Sequence, residues 1–83
     1  MLKGKQRLNW RDEEDVSLEQ LLEAVKLIEE DGNIFILKVD AEREVSQRNM
    51  VMITFPKIPD KQIRFDEPTL LGAVRKALKA YFE

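Results

Sequence analysis

The clearest hydrophobic pattern in the chain lies between Ser17 and Gly32. Five apolar residues recur there at the spacing of one helix face: Leu18, Leu21, Leu22, Val25 and Ile28. Ser17 has the residue type of an N-cap, and Gln20 three residues later completes a capping box. Gly32 supplies the left-handed residue that ends many helices. The pattern predicts an amphipathic helix over this segment.

Three shorter segments have the composition of β-strands. Asn33–Val39 is apolar on both faces for most of its length, which is typical of a central strand. Residues 40–49 are charged and predict the tip of a hairpin that leads into a second strand, Met50–Phe55. After two prolines, Gln62–Phe65 is a candidate third strand, and its brevity favours an edge position.

A second helical pattern follows the residues Asp66-Glu67-Pro68. These residues suit a helix start, because acids favour the positive end of the helix dipole and proline is tolerated in the first turn. Apolar residues then repeat at helical spacing: Leu70, Leu71, Val74, Ala77, Leu78 and Tyr81. Gly72 inside this helix costs roughly 1 kcal/mol relative to alanine, so we expect it to permit close packing against the sheet.

The order of these elements predicts an α+β fold. It reads helix, strand, strand, strand, helix, with Lys5–Trp10 as a fourth, N-terminal strand or an ordered arm. Hairpin connections make the sheet antiparallel, and two amphipathic helices on one face would complete a two-layer sandwich. The other face would then carry Ile34, Ile36, Met50 and Met52. That face is too apolar to leave fully in water.

The length of 83 residues fits one domain, which we assign to residues 12–83. Residues 1–11 precede it as a basic arm or edge strand. No apolar run approaches the roughly 20 residues that span a bilayer, and the N-terminus lacks the apolar core of a signal peptide. A cytoplasmic location is therefore the default expectation. The absence of cysteine excludes a disulfide framework.

The net charge of −2 conceals a strong asymmetry along the chain. Residues 1–11 carry four basic side chains and no acid. Residues 12–31 carry nine carboxylates against the single Lys26. We expect a solvated acidic face on the first helix, with the basic arm folding back onto it.

The inventory of catalytic side chains is nearly empty. Without histidine and cysteine the chain lacks the commonest general base, a thiolate nucleophile and a zinc-thiolate site. Ser17 serves as a helix cap, and Ser46 lies in a charged loop with no base nearby. The acidic run Asp12–Asp15 lacks the glycine of a calcium loop. We therefore predict no catalytic residue, no cofactor and no metal, so the chain is not expected to be an enzyme.

Nucleic-acid binding is one alternative function. The basic arm surrounds an aromatic ring, so cations and a stacking platform occur together: Lys3, Lys5, Arg7, Trp10 and Arg11. The predicted element order also resembles that of double-stranded RNA-binding domains. Those domains, however, place lysines at the start of the last helix, where this chain has Asp66 and Glu67.

Protein binding is the function that the sequence favours. We predict a small interaction module, a homodimer, that uses an apolar sheet face or edge together with the acidic helix. The predicted interface residues are Ile34, Ile36, Met50, Met52, Glu19, Glu23 and Glu30. The acidic helix also suits an inhibitor that mimics nucleic acid toward a basic partner.

Overall fold

The structure is a computed structural model that describes residues 17–83. Its main elements are α1 (Leu18–Glu30), β1 (Ile34–Val39), β2 (Asn49–Thr54), β3 (Gln62–Glu67) and α2 (Leu70–Phe82). A 3-10 turn, Val45–Gln47, lies in the connection between β1 and β2. The predicted α+β class and the order α-β-β-β-α are confirmed. The predicted strand or arm at Lys5–Trp10 lies outside the described residues.

The three strands form an antiparallel sheet in the order β1-β2-β3. Within the described part of the chain, β2 is the central strand and β1 has a free edge. The sequence predicted a central position for β1, whereas among the described strands it lies at an edge. Its apolar residues do not indicate burial on both faces, because Ile34, Leu37 and Val39 are all exposed.

The strand register separates the apolar side chains onto two faces of the sheet. The core face carries Phe35, Val51, Ile53, Ile63 and Phe65, which occupy paired positions across the strands. Buried residues of both helices join them in one hydrophobic core: Leu21, Ala24, Ile28, Ala73, Ala77 and Leu78. The open face carries the other positions, among them Ile34, Ile36, Met50 and Met52.

Both helices begin with the caps that their sequences encode. The capping box of α1 is confirmed, since Ser17 Oγ accepts from Gln20 N at 3.2 Å and Gln20 Oε1 accepts from Ser17 N at 2.9 Å. The start of α2 differs from the prediction, because β3 continues to Glu67 and Thr69 is the N-cap. Thr69 Oγ1 accepts from Gly72 N at 3.0 Å.

The two helices start at the same end of the sheet. A short turn joins α1 to β1, so α1 ends where β1 begins. Since β1 and β3 are both antiparallel to β2, they point the same way, and α2 starts beside the end of β1. The far ends of the helices are tied together, because Tyr81 Oη donates to Asp31 Oδ2 at 2.5 Å and accepts from Asn33 Nδ2 at 2.8 Å.

Candidate interaction surfaces

Three of the predicted interface residues lie together on the open face. Ile36 pairs with Met52 across β1 and β2, and Ile34 lies two residues before Ile36 on the same side of β1. Ile34 is 48% exposed and Ile36 is 37% exposed, whereas Met52 is half-buried. We call these three residues the open-face patch.

Met50 is not available at this surface, so its predicted exposure was wrong. It is only 8% exposed and lies in register between Lys38 and Asp66. Arg43, from the connection between β1 and β2, donates to Asp66 Oδ1 at 2.9 Å, and Arg64 donates to Oδ2 at 3.0 Å. This tether brings the charged connection to the end of the open face that holds Met50. The Arg64 hydrogen bond lowers the pKa of Asp66 despite some desolvation, and the Arg43 bond adds to that effect.

The acidic residues predicted for the interface lie on the other side of the molecule. Glu19, Glu23 and Glu30 are exposed on α1, which packs on the core face. The structure therefore separates them from the open-face patch, and one flat partner surface cannot contact both sets. The residues predicted to bind nucleic acid lie outside the described residues: Lys3, Lys5, Arg7, Trp10 and Arg11.

An apolar groove that the sequence analysis missed lies between the N-terminal halves of the two helices. Its volume is about 380 Å³. It is lined by Leu18, Leu21, Leu22 and Val25 of α1, Phe35 and Leu37 of β1, and Leu70, Leu71 and Val74 of α2. We call this the helix groove. Its helical residues belong to the apolar patterns that were expected to be buried, yet Leu22 is 61% exposed.

Among residues 17–83, the edge of β1 that does not pair with β2 runs along unfilled apolar space. A second depression is lined by Leu22, Val25 and Phe35, which also line the helix groove, together with Ile34 and polar neighbours at the end of α1. The side chains of α1 and β1 thus enclose space that no described residue fills. The sequence signal for this space was the number of apolar residues on α1, which is five. The described sheet buries only part of the apolar face that they form.

A polar cluster around Tyr81 joins the C-terminal ends of the two helices. Burial and the hydrogen bond to Asp31 raise the pKa of Tyr81 to about 12, so the phenol stays protonated at neutral pH and cannot act as a base there. Within residues 17–83 no three carboxylates come together as a metal site would require. None of the described helices combines the length and the apolar character needed to cross a bilayer.

Comparisons of the chain with known protein families, with curated proteins and with solved structures found no match.

Proposed function

We propose that this protein is a non-enzymatic interaction domain that self-associates through the open-face patch. The observation that supports this is the exposure of Ile34 and Ile36 beside Met52, on a face that neither α1 nor α2 covers. We also infer a two-layer arrangement, because both helices share one core with the opposite face. Burying an apolar sheet face against a second copy removes it from water without a further element.

The size of the open face limits the strength of this association. Three strands of six residues cover roughly 14 by 20 Å, or on the order of 300 Å². A standard interface buries about 800 Å² on each partner. We therefore expect a weak dimer, whose population depends on protein concentration. A peptide or protein with a complementary apolar strand could compete for the same face.

The test is a single substitution at the centre of the patch. Met52→Lys places a charge on a surface that the dimer would desolvate, so it should abolish self-association while the monomer stays folded. Light scattering and sedimentation from about 1 μM to about 1 mM would measure the association. Val45→Lys is the matched control, because Val45 is exposed in the connection and lies outside the patch.

Two results would contradict this proposal. One is a wild-type chain that stays monomeric at the highest concentration. The other is a dimer that Met52→Lys and Val45→Lys weaken equally. The nucleic-acid function and the mimic function remain predictions from the sequence, because the basic arm lies outside the described residues and no described contact tests the acidic face.

A further inference from the structure

We propose that the N-terminal segment of this same chain fills the helix groove. Residues 5–10 pair in parallel with the free edge of β1 as a fourth strand, and Leu8 and Trp10 insert below α1. This inference does not depend on self-association through the open-face patch, since it concerns the opposite side of the sheet.

The segment has the alternation that such a position requires. Leu8 and Trp10 are two residues apart, so in a strand both side chains point to one face. Lys5, Arg7 and Asn9 alternate with them and point to the other face. One face of the segment therefore suits a wholly apolar groove, and the other suits water.

The topology fixes the direction of this strand. Because α1 begins at the end of the sheet where β1 ends, a strand that leads into α1 must end there too and run parallel to β1. The unit is then strand, helix, strand, the usual way to connect parallel neighbours. Residues 11–16 form the connection to the N-cap Ser17, and six residues lie within the usual range of about 2 to 6 for a strand-to-helix loop.

Parallel pairing also brings the two apolar side chains of the segment to the helix groove. The end of the segment would lie beside the end of β1, which places Trp10 near Leu37 and Leu8 near Phe35. Leu37 and Phe35 are the two strand residues that line the helix groove. A large aromatic ring suits this space, since Leu18, Leu22, Leu37 and Leu71 all leave apolar surface exposed there.

Connectivity favours the chain's own segment over a second copy. A six-residue connection keeps the segment at a local concentration in the millimolar range. An intermolecular exchange of arms would have to compete with that concentration.

Fluorescence of Trp10 tests the proposal directly, because it is the only tryptophan in the chain. The full chain would be measured at a concentration where light scattering reports monomers. We expect blue-shifted emission and protection from acrylamide. Leu22→Glu should shift the emission to the red and expose the ring to the quencher. Val45→Glu should change neither, and it is a matched control because Leu22 and Val45 are 61% and 62% exposed.

Amide hydrogen exchange of the wild-type chain gives a second readout that needs no variant. If the segment pairs with β1, the β1 amides that point away from β2 become donors to a strand, so they should exchange slowly. Three results would overturn the proposal: a solvent-exposed Trp10, rapid exchange of those amides, or emission that Leu22→Glu leaves unchanged in a folded protein. Protection that appears only at concentrations where dimers form would assign the groove to a second copy instead.

Discussion

At the scale of single residues, Tyr81 is the main polar link between the two helices. Its hydroxyl joins the C-terminal end of α2 to Asp31 and Asn33 in the turn that leads into β1. Its ring stacks on Phe55 with centroids 5.8 Å apart. Burial of the group and its hydrogen bond to Asp31 disfavour ionisation and raise its pKa, whereas the hydrogen bond from Asn33 acts in the opposite direction.

Titration of Tyr81 tests this account, because it is the only tyrosine in the chain. Tyrosinate absorbance should rise with a midpoint near pH 12 in the folded protein, and near 10 in denaturant. Asp31→Asn should lower the midpoint, since it removes the carboxylate that accepts the proton. Glu23→Gln, two turns away on α1, should leave the midpoint unchanged. Equal effects of the two variants would contradict the assignment to the Asp31 contact.

The same shift determines how Tyr81 affects stability. The folded-state pKa lies above the unfolded value, so the contribution of the protonated hydroxyl is complete below about pH 10. It is lost as the pH rises toward 12. Tyr81→Phe should therefore be less stable than wild type at neutral pH, by about 1 kcal/mol for a lost hydrogen bond. The difference between the two proteins in urea unfolding should narrow above pH 10.

The sequence predicted the role of a single residue well where that residue interacts only with its neighbours in the chain. The capping box at Ser17 and Gln20 needs only neighbouring residues, and both of its hydrogen bonds are present. Met50 shows the limit. Its alternation with Met52 correctly predicted a shared face, but Met50 is only 8% exposed, at the end of that face where Arg43 bonds to Asp66, 23 residues away in the sequence. A periodicity argument does not contain that contact.

At the scale of elements, Gly72 belongs to the cap of α2 and not to helix–sheet packing. A Cβ atom at this position would lie 2.7 Å from Thr69 Oγ1, while the nearest sheet atom, Glu67 Cβ, would be 4.0 Å away. The glycine therefore makes room for the hydroxyl that caps its own helix. Close packing against the sheet, as the sequence predicted, is not its role.

A double-mutant cycle would measure this effect. Gly72→Ala should gain up to about 1 kcal/mol from helix propensity but lose about as much by displacing the cap. In the wild-type background we expect a net change near zero. In a Thr69→Gly background, Gly72→Ala should raise the free energy of unfolding by the full helix-propensity gain, as measured by urea unfolding. A stabilisation of the same size in both backgrounds would show that Thr69 accommodates the extra methyl group.

The hydrophobic patterns predicted which elements exist, and their order along the chain, better than they predicted which elements lie next to each other in the fold. Both helices and all three strands are present, because the periods of 3.6 and 2 are strong over these segments. Among the described strands β1 lies at an edge and not at the predicted centre, because apolar residues on both faces indicate two surfaces to be covered and do not say what covers them. The helix groove was missed for the same reason, since Leu18 and Leu22 fit a core pattern equally well.

At the scale of the whole molecule, the two apolar surfaces lie on opposite sides of the sheet and have different expected occupants. The helix groove lies beside the start of α1, where the chain's own N-terminal segment enters, and it resembles an unfinished part of the core. The open-face patch lies opposite both helices. If the segment completes the core, the open-face patch becomes the principal apolar surface that is left for a partner.

These two assignments predict different responses to protein concentration. A dimer gains stability by mass action, so the urea midpoint of wild type should rise with concentration. Met52→Lys should remove that rise. Leu22→Glu should lower the free energy of unfolding by an amount typical of core damage, about 1 to 3 kcal/mol, and the midpoint should still rise with concentration. Because the sites lie on opposite faces, the double variant should show the sum of the effects. Loss of the concentration dependence in Leu22→Glu would instead place the helix groove in the dimer interface.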